Sequence, residues 1–233
     1  MSEKALRNEF NEWADAGRGE RMARSHRPAT EQAIEQLAIE RDTHALDLGC
    51  GIGWAVRLMA ARCPNGSATG VDISDRMIEL ARLSPDNPPN VRFDVGTAER
   101  LPYGDGAFNR VLSVESIYYY DDIEAALAEV AHVTAVGGAI ALLVDYFEEN
   151  VESHRWAADI AVPMQLLSAP AYEELLRKAG FDEVASTRLL DPSPLPDRAS
   201  FTPVWGFDTW EQLERYKREG TLSVTGTRAS AKK

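Results

Sequence analysis

Cysteine is nearly absent from these 233 residues: only Cys50 and Cys63 occur, and there is no CxxC pair. That excludes a disulfide framework and predicts two reduced thiols. Histidine is almost as sparse. His26, His44, His132 and His154 lie far apart, and none has a second His or Cys at ligand spacing, so no metal site is expected. No apolar run reaches the roughly 18 residues needed to span a bilayer. The opening "MSEKALRNEF" lacks the apolar stretch of a signal peptide, so a cytoplasmic chain with no membrane partner is expected. Basic residues are outnumbered 25 to 37, for a net charge of −12. Such a surface repels phosphate backbones. The one locally basic stretch, "MARSHR" at 22–27, is diluted by Glu9, Glu12, Asp15 and Glu20, and no nucleic-acid partner is expected. Repeats at 20–50-residue periods are missing as well. Low complexity is confined to the closing "ASAKK".

What is present is an alternation of strand-like and helix-like segments over a length suited to one α/β domain. Thr30 is placed to cap a helix through Glu40, with Ala33, Ile34 and Leu37 on its apolar face. Strands are predicted at 45–48, 67–73, 91–95, 110–114 and 139–144. Helices are predicted after the first, second and fourth of these. Ser74 or Asp75 caps the second of those helices, and Gly137-Gly138 precedes the fifth strand. Pro170 to Ala179 reads as a helix closed by Gly180. Two final strands, at 181–190 and 220–228, flank a Pro- and Trp-rich stretch with no clear helix, which predicts an antiparallel edge hairpin.

The segment "ALDLGCGIGW", 45–54, is a buried strand turning sharply on glycines, built for close backbone approach to a ligand. A P-loop is excluded, because no Gly-Lys-Ser/Thr follows. The dinucleotide pattern G-x-G-x-x-G needs a third glycine where Trp54 stands. The turn therefore does not suit a diphosphate. Asp72 closes the second strand 19 residues after Gly53. A carboxylate there can accept from both hydroxyls of an unphosphorylated ribose, or simply favour a helix N-terminus. Cys50 fits the turn as a small side chain.

"ALDLGCGIG", "GVDIS", "GTAERLPYGDGAFNRVLSVESIYY" and the later "GG" together resemble class I S-adenosylmethionine-dependent methyltransferases of the small-molecule type, over roughly 45–144. The resemblance implies a Rossmann-like α/β fold: a seven-stranded, mostly parallel sheet in the order 3-2-1-4-5-7-6, strand seven antiparallel, with helices on both faces. It implies S-adenosyl-L-methionine as cofactor. Asp47, Gly49, Cys50, Gly51 and Gly53 would line its methionine and ribose, and Asp72 would hold the ribose hydroxyls. Ile73 would lie against the adenine face, and Thr97, Ala98 and Glu99 at its edge. Ser113, Val114 and Glu115 would border the sulfonium. Thr97 stands where the family commonly has aspartate, which removes a charged acceptor for the adenine amino group.

Methyl transfer needs alignment more than acid–base groups, because the sulfonium is already an activated electrophile. Where a base is needed, Glu115, Tyr118, Tyr119 and His154 are the candidates. The chain is expected as a single domain. It comprises an N-terminal lid arm (1–29, with Phe10, Trp13 and Met22), a cofactor core (30–144), cap insertions (145–169 and 191–216) and a tail (228–233). Trp13 is expected at the cofactor, and Trp156, Met164 and Trp205 in the wall of an apolar substrate pocket. The expected activity is methyl transfer to a small, partly apolar molecule. The alternatives are a cofactor-binding regulator without transfer activity and, more remotely, a nicotinamide oxidoreductase. The acceptor atom and the oligomeric state are not specified by these residues.

Overall fold

The computed structural model describes residues 3–230. Its helices are α1 (Glu3–Asp15), α2 (Arg18–Gln36), α3 (Trp54–Ala60), α4 (Asp75–Leu83), α5 (Ile123–Val133), α6 (Trp156–Asp159), α7 (Ala169–Lys178) and α8 (Trp210–Glu219). The strands are β1 (His44–Leu48), β2 (Ser67–Asp72), β3 (Val91–Val95), β4 (Phe108–Val114), β5 (Thr134–Val144), β6 (Phe181–Leu189) and β7 (Thr221–Arg228). They form one sheet in the order β3-β2-β1-β4-β5-β7-β6, as expected. β7 runs antiparallel to both of its neighbours, and the other pairings are parallel.

Strand periodicity divides the apolar residues between two layers. Leu46 and Leu48 of β1, with Ile140, Leu142 and Val144 of β5, face the layer that holds α5 and α7. Ala45, Ala141 and Leu143 face the layer of α2, α3 and α4. All these residues are essentially inaccessible to solvent. Ser74 caps α4 by accepting from the Met77 amide, and Ser168 caps α7 in the same way through Ala171. No helix among the described residues is long and apolar enough to cross a membrane.

Three expectations are corrected. The first core helix does not begin at Thr30. It runs from Arg18 to Gln36 with Pro28 inside it, and Thr30 is buried in mid-helix. Before it, α1 occupies Glu3–Asp15 of the arm. The stretch between the last two strands contains α8. A capping box starts it, with the Thr209 hydroxyl accepting from the Gln212 amide and the Gln212 side chain accepting from the Thr209 amide. None of its residues is fully buried. Finally, β5 begins at Thr134 rather than 139. The register against β4 shifts between Phe108 and Arg110, and Gly137, at φ 77°, lies within the irregularity.

Candidate active site

The glycine turn leaves β1 with three residues in the left-handed region: Gly49 at φ 75°, Gly51 at 52° and Gly53 at 76°. Only glycine adopts these values without strain. The amides of Gly49 and Cys50 both donate to the Val71 carbonyl, at 2.9 and 3.0 Å. The Asp72 carboxylate accepts from the Gly51 amide and the Ser74 amide, each at 2.8 Å. The end of β2 therefore fixes the shape of the turn after β1. The three glycines have different neighbours. A Cβ on Gly49 would stand 2.4 Å from Ser116 Cβ, and one on Gly53 2.4 Å from Phe93 Cε1, whereas one on Gly51 would meet nothing within 4 Å.

Gly51 opens into the main cavity, whose wall includes Asp47, Gly49, Cys50, Asp72 and Ile73. Asp47 is 2% exposed, and its Oδ1 has no hydrogen-bond partner among the described residues. Burial, and then the charge of Asp72, push its carboxyl up to about 8. A buried acid with an unused acceptor beside an open glycine turn suits a cationic, hydrogen-bond-donating ligand group. The α-ammonium and ribose hydroxyls of S-adenosylmethionine meet that requirement. Burial also raises Asp72, against the pull of its two amide donors. Thr97, Ala98 and Glu99 continue the wall past β3, and Val114 and Glu115 continue it past β4.

The opposite side comes from the N-terminal helices. Phe10 meets Trp13 and Tyr119 edge-on, both at 5.2 Å, and Leu6 and Met22 extend this apolar surface into the cavity. α1 is tied to α4 by polar contacts: the Ser74 hydroxyl donates to Asn11 Oδ1 at 2.6 Å, and Arg76 pairs with Asp15 at 2.8 Å.

Beyond the turn lies a hydroxyl cluster. The Ser116 hydroxyl donates to the Leu48 carbonyl at 2.9 Å, and the hydroxyls of Ser113 and Tyr120 lie 2.7 and 2.8 Å from it. Ser116 occupies the space that a side chain at position 49 would need. Next to it, Glu115 holds φ 53°, an uncommon conformation for a residue with a Cβ. Its Oε2 accepts from the Tyr118 hydroxyl at 2.9 Å and its Oε1 from the Asp145 amide at 2.7 Å. Burial, followed by the charge of Asp145, pushes Glu115 up to about 8.

His26 of α2 reaches the same place. Its Nδ1 is 3.2 Å from Asp145 Oδ2, which also accepts from the Tyr216 hydroxyl of α8 at 2.5 Å. Burial opposes the His26 cation, but its hydrogen bond to Asp145 and the charges of Glu115 and Asp145 raise it above its ordinary value. Burial would likewise raise Asp145, yet His26, Thr221 and Tyr216 hold it below the ordinary carboxylate value.

Most of the predicted cofactor residues come together: Asp47, Gly49, Cys50, Gly51, Asp72, Ile73, Thr97, Ala98, Glu99, Val114 and Trp13 all line the cavity. Two do not. Gly53 faces Phe93 and lets α3 pack on the sheet, and Ser113 is buried behind Ser116. Among the candidate bases, Glu115 and Tyr119 line the cavity. Tyr118 is buried behind Glu115 as its hydrogen-bond donor. His154 is elsewhere, with Nε2 against the carbonyls of Phe147 and Glu148. Trp156 stacks with Trp205, Phe207 and Tyr216 rather than over the cofactor cavity, and Met164 is packed against the core without lining it. The two later segments instead reach the site through Tyr216 and Asp145. His26 was missed. Its signal was helical spacing: Met22, His26, Ala29 and Ala33 lie on one face of α2, straight through Pro28.

A Rossmann-like sheet in this order, with a glycine cradle after β1 and an acid closing β2, defines a methyltransferase fold. Comparison with known proteins agrees. A family model for the methyltransferase domain matches residues 45–138. The protein solved in complex with the Haloferax volcanii Trm112 methyltransferase activator is 32% identical, with a TM-score of 0.88, covering 95% of this chain and 98% of that one. Methyltransferase GfsG of Streptomyces halstedii is 26% identical over 84% of this chain and 76% of its own length. A demethylmenaquinone methyltransferase of Staphylococcus aureus is 30% identical over 51% of this chain, which spans only 49% of that relative. The chain belongs to the class I S-adenosylmethionine-dependent methyltransferases, with S-adenosylmethionine as its cofactor.

Proposed function

We propose that the enzyme methylates a small, partly apolar molecule in the cytoplasm, and that the acceptor lies between the α1 aromatics and Glu115. The observation that carries this reading is the continuity of one cavity. It runs from Asp47 and Gly51 to an apolar wall of Leu6, Phe10 and Met22, and meets polar groups at Glu115 and His26. A narrow, mostly apolar chamber with a few convergent polar groups suits a small molecule. The net charge of −12 argues against a nucleic-acid substrate.

Bound cofactor supplies an activated methyl group. In this reading Asp47 holds its ammonium and Asp72 its ribose, and Ile73, Thr97, Ala98 and Glu99 border the adenine. Trp13, Phe10 and Tyr119 exclude water and press the acceptor toward the end of β4. Alignment of this kind contributes about 7–11 kcal/mol to such displacements.

The test uses S-[methyl-³H]adenosylmethionine with panels of small phenols, amines and carboxylic acids, in parallel with bulk RNA and protein. Label in a small acceptor supports the reading. Label only in macromolecules overturns it, and cofactor binding with no transfer to any panel favours a regulator. The Trm112 complex of the relative supports a second reading, in which a small activator protein assists this chain too. Size-exclusion chromatography with a Trm112-type protein tests it, and separate elution at micromolar concentration rejects it.

A further inference from the structure

Three ionisable side chains from distant parts of the sequence meet at the end of the cavity. His26 comes from α2, Glu115 follows β4 and Asp145 follows β5. One polar atom of each lies within 4.8 Å of the others, and all three are buried. Glu115 and His26 line the cavity that contains Asp47 and Asp72. In the reading proposed above, the sulfonium borders the end of β4, where Val114 and Glu115 line the cavity. The His26 ring turns Nδ1 to Asp145.

We propose that His26, Glu115 and Asp145 act as one proton-sharing cluster facing the methyl donor, and that the donor's positive charge expels a proton from it, creating the base the acceptor needs. The proposal rests on the active-site reading above, but not on the identity of the acceptor. Around the cluster, Tyr118 donates to Glu115, Tyr216 donates to Asp145, and Thr221 lies beside Asp145. Tyr172 lies close enough to Glu115 to feel its charge. Behind Asp145, Lys217 is paired with Asp191 at 2.8 Å. On the cavity side the other charged groups are Asp47, Asp72 and Glu99, with Arg18 stacked over Trp13.

These surroundings leave Asp145 as the anion and keep the remaining proton affinity on Glu115 and His26. Two unit charges about 6 Å apart, at an effective dielectric of about 20, change a neighbour's proton affinity roughly a hundredfold. A Glu115 carboxyl pushed up to about 8 is mostly protonated at pH 7 and becomes mostly ionised under such a change, which releases ~0.8 proton. The cycle then balances. A proton leaves to solvent as the donor binds. The acceptor's electron pair forms the new bond to the methyl carbon, and the carbon–sulfur pair returns to sulfur. The acceptor's own proton passes to the cluster, so the positive charge lost at sulfur reappears there. The neutral thioether then leaves a reprotonated site.

The alternative for three such ligands is a divalent cation. Both Glu115 oxygens and Asp145 Oδ2 already accept from protein donors, whereas Asp145 Oδ1 has no partner among the described residues, so the metal reading is left to the test below.

The test is calorimetry of S-adenosylmethionine and S-adenosylhomocysteine binding to the full chain at pH 7, in phosphate and in Tris. The dependence of the heat on buffer ionisation counts protons. Wild type is expected to release ~0.5–1 proton more with the sulfonium than with the thioether. Glu115→Gln and His26→Asn should each remove most of that excess, and circular dichroism identifies a variant that fails to fold. If Glu115→Gln does not fold, His26→Asn carries the test. Equal proton release for the two ligands overturns the proposal. So does an excess that survives in both variants, which would assign it to Asp47. Tight binding of ZnCl₂ or MgCl₂ alone, lost in Glu115→Gln, also overturns it in favour of a metal site. Failure to find an acceptor affects only the function proposed above.

Discussion

Alanine at each glycine of the turn should separate binding from folding. Gly53→Ala places a Cβ 2.4 Å from Phe93 Cε1 and 3.2 Å from Ala81 Cβ, at φ 76°. The left-handed conformation costs about 1–2 kcal/mol with a Cβ present, and forcing a methyl into a packed interface costs about 1–3 kcal/mol more. A loss of about 2–5 kcal/mol is expected. Gly51→Ala bears only the first of these, about 1–2 kcal/mol, because its Cβ enters open space. That space is the cavity, so the methyl should instead cost cofactor affinity, by about tenfold for each 1.4 kcal/mol of lost fit. Urea denaturation followed by circular dichroism reads the stability, and calorimetry with S-adenosylhomocysteine reads the affinity. Gly53→Ala should lower the urea midpoint more, and Gly51→Ala should weaken binding more, by at least about tenfold. Equal destabilisation of the two variants, or an unchanged affinity in Gly51→Ala, would refute this division of labour.

Asp47→Asn should make the ligand-free protein more stable at high pH and weaken cofactor binding. In the folded chain burial, and then the charge of Asp72, push the Asp47 carboxyl from its ordinary 3.8 up to about 8. The folded state therefore holds the extra proton, and the stability it provides is complete below the lower value and lost as pH rises toward the upper one. Thermal melts at pH 8 should show the variant above wild type by about 1–3 kcal/mol; a variant that melts lower contradicts the assignment. Removal of residues 1–16 takes away α1 with Phe10 and Trp13, and with it the Asn11 tie to Ser74. The truncated chain should fold and bind S-adenosylhomocysteine at least about tenfold more weakly. Unchanged affinity would show that α1 is no part of the cofactor site.

The cradle was legible in the sequence because its parts are local. Asp47 to Gly53 lie on one strand and its turn, and Asp72 marks the next strand end in the same unit. The sheet order followed from the family resemblance; the antiparallel edge was expected because no helix was clear between the last two strands, and the edge is antiparallel although α8 lies there. The acid–base cluster was not legible. His26 and Asp145 are 119 residues apart, and only the packing of α2 against the sheet brings them together. Pro28 obscured this further, since a proline in mid-helix suggests a boundary. α8 was hidden for another reason. It is polar on most faces, and its contribution to the site is one hydroxyl, that of Tyr216 on Asp145. The aromatic insertions were expected to wall the substrate pocket, but their rings pack on each other around Trp156.

The joint between the first two helices is Gly17, at φ 65°. On one side of it, α1 carries Phe10 and Trp13. On the other, α2 runs unbroken from His26 into Ala33 and Ile34, which are anchored in the core. A swing of α1 about Gly17 would therefore carry off the aromatic cover and leave the imidazole seated against Asp145. Exchange of ligands by such a movement would leave the proposed proton-sharing cluster assembled.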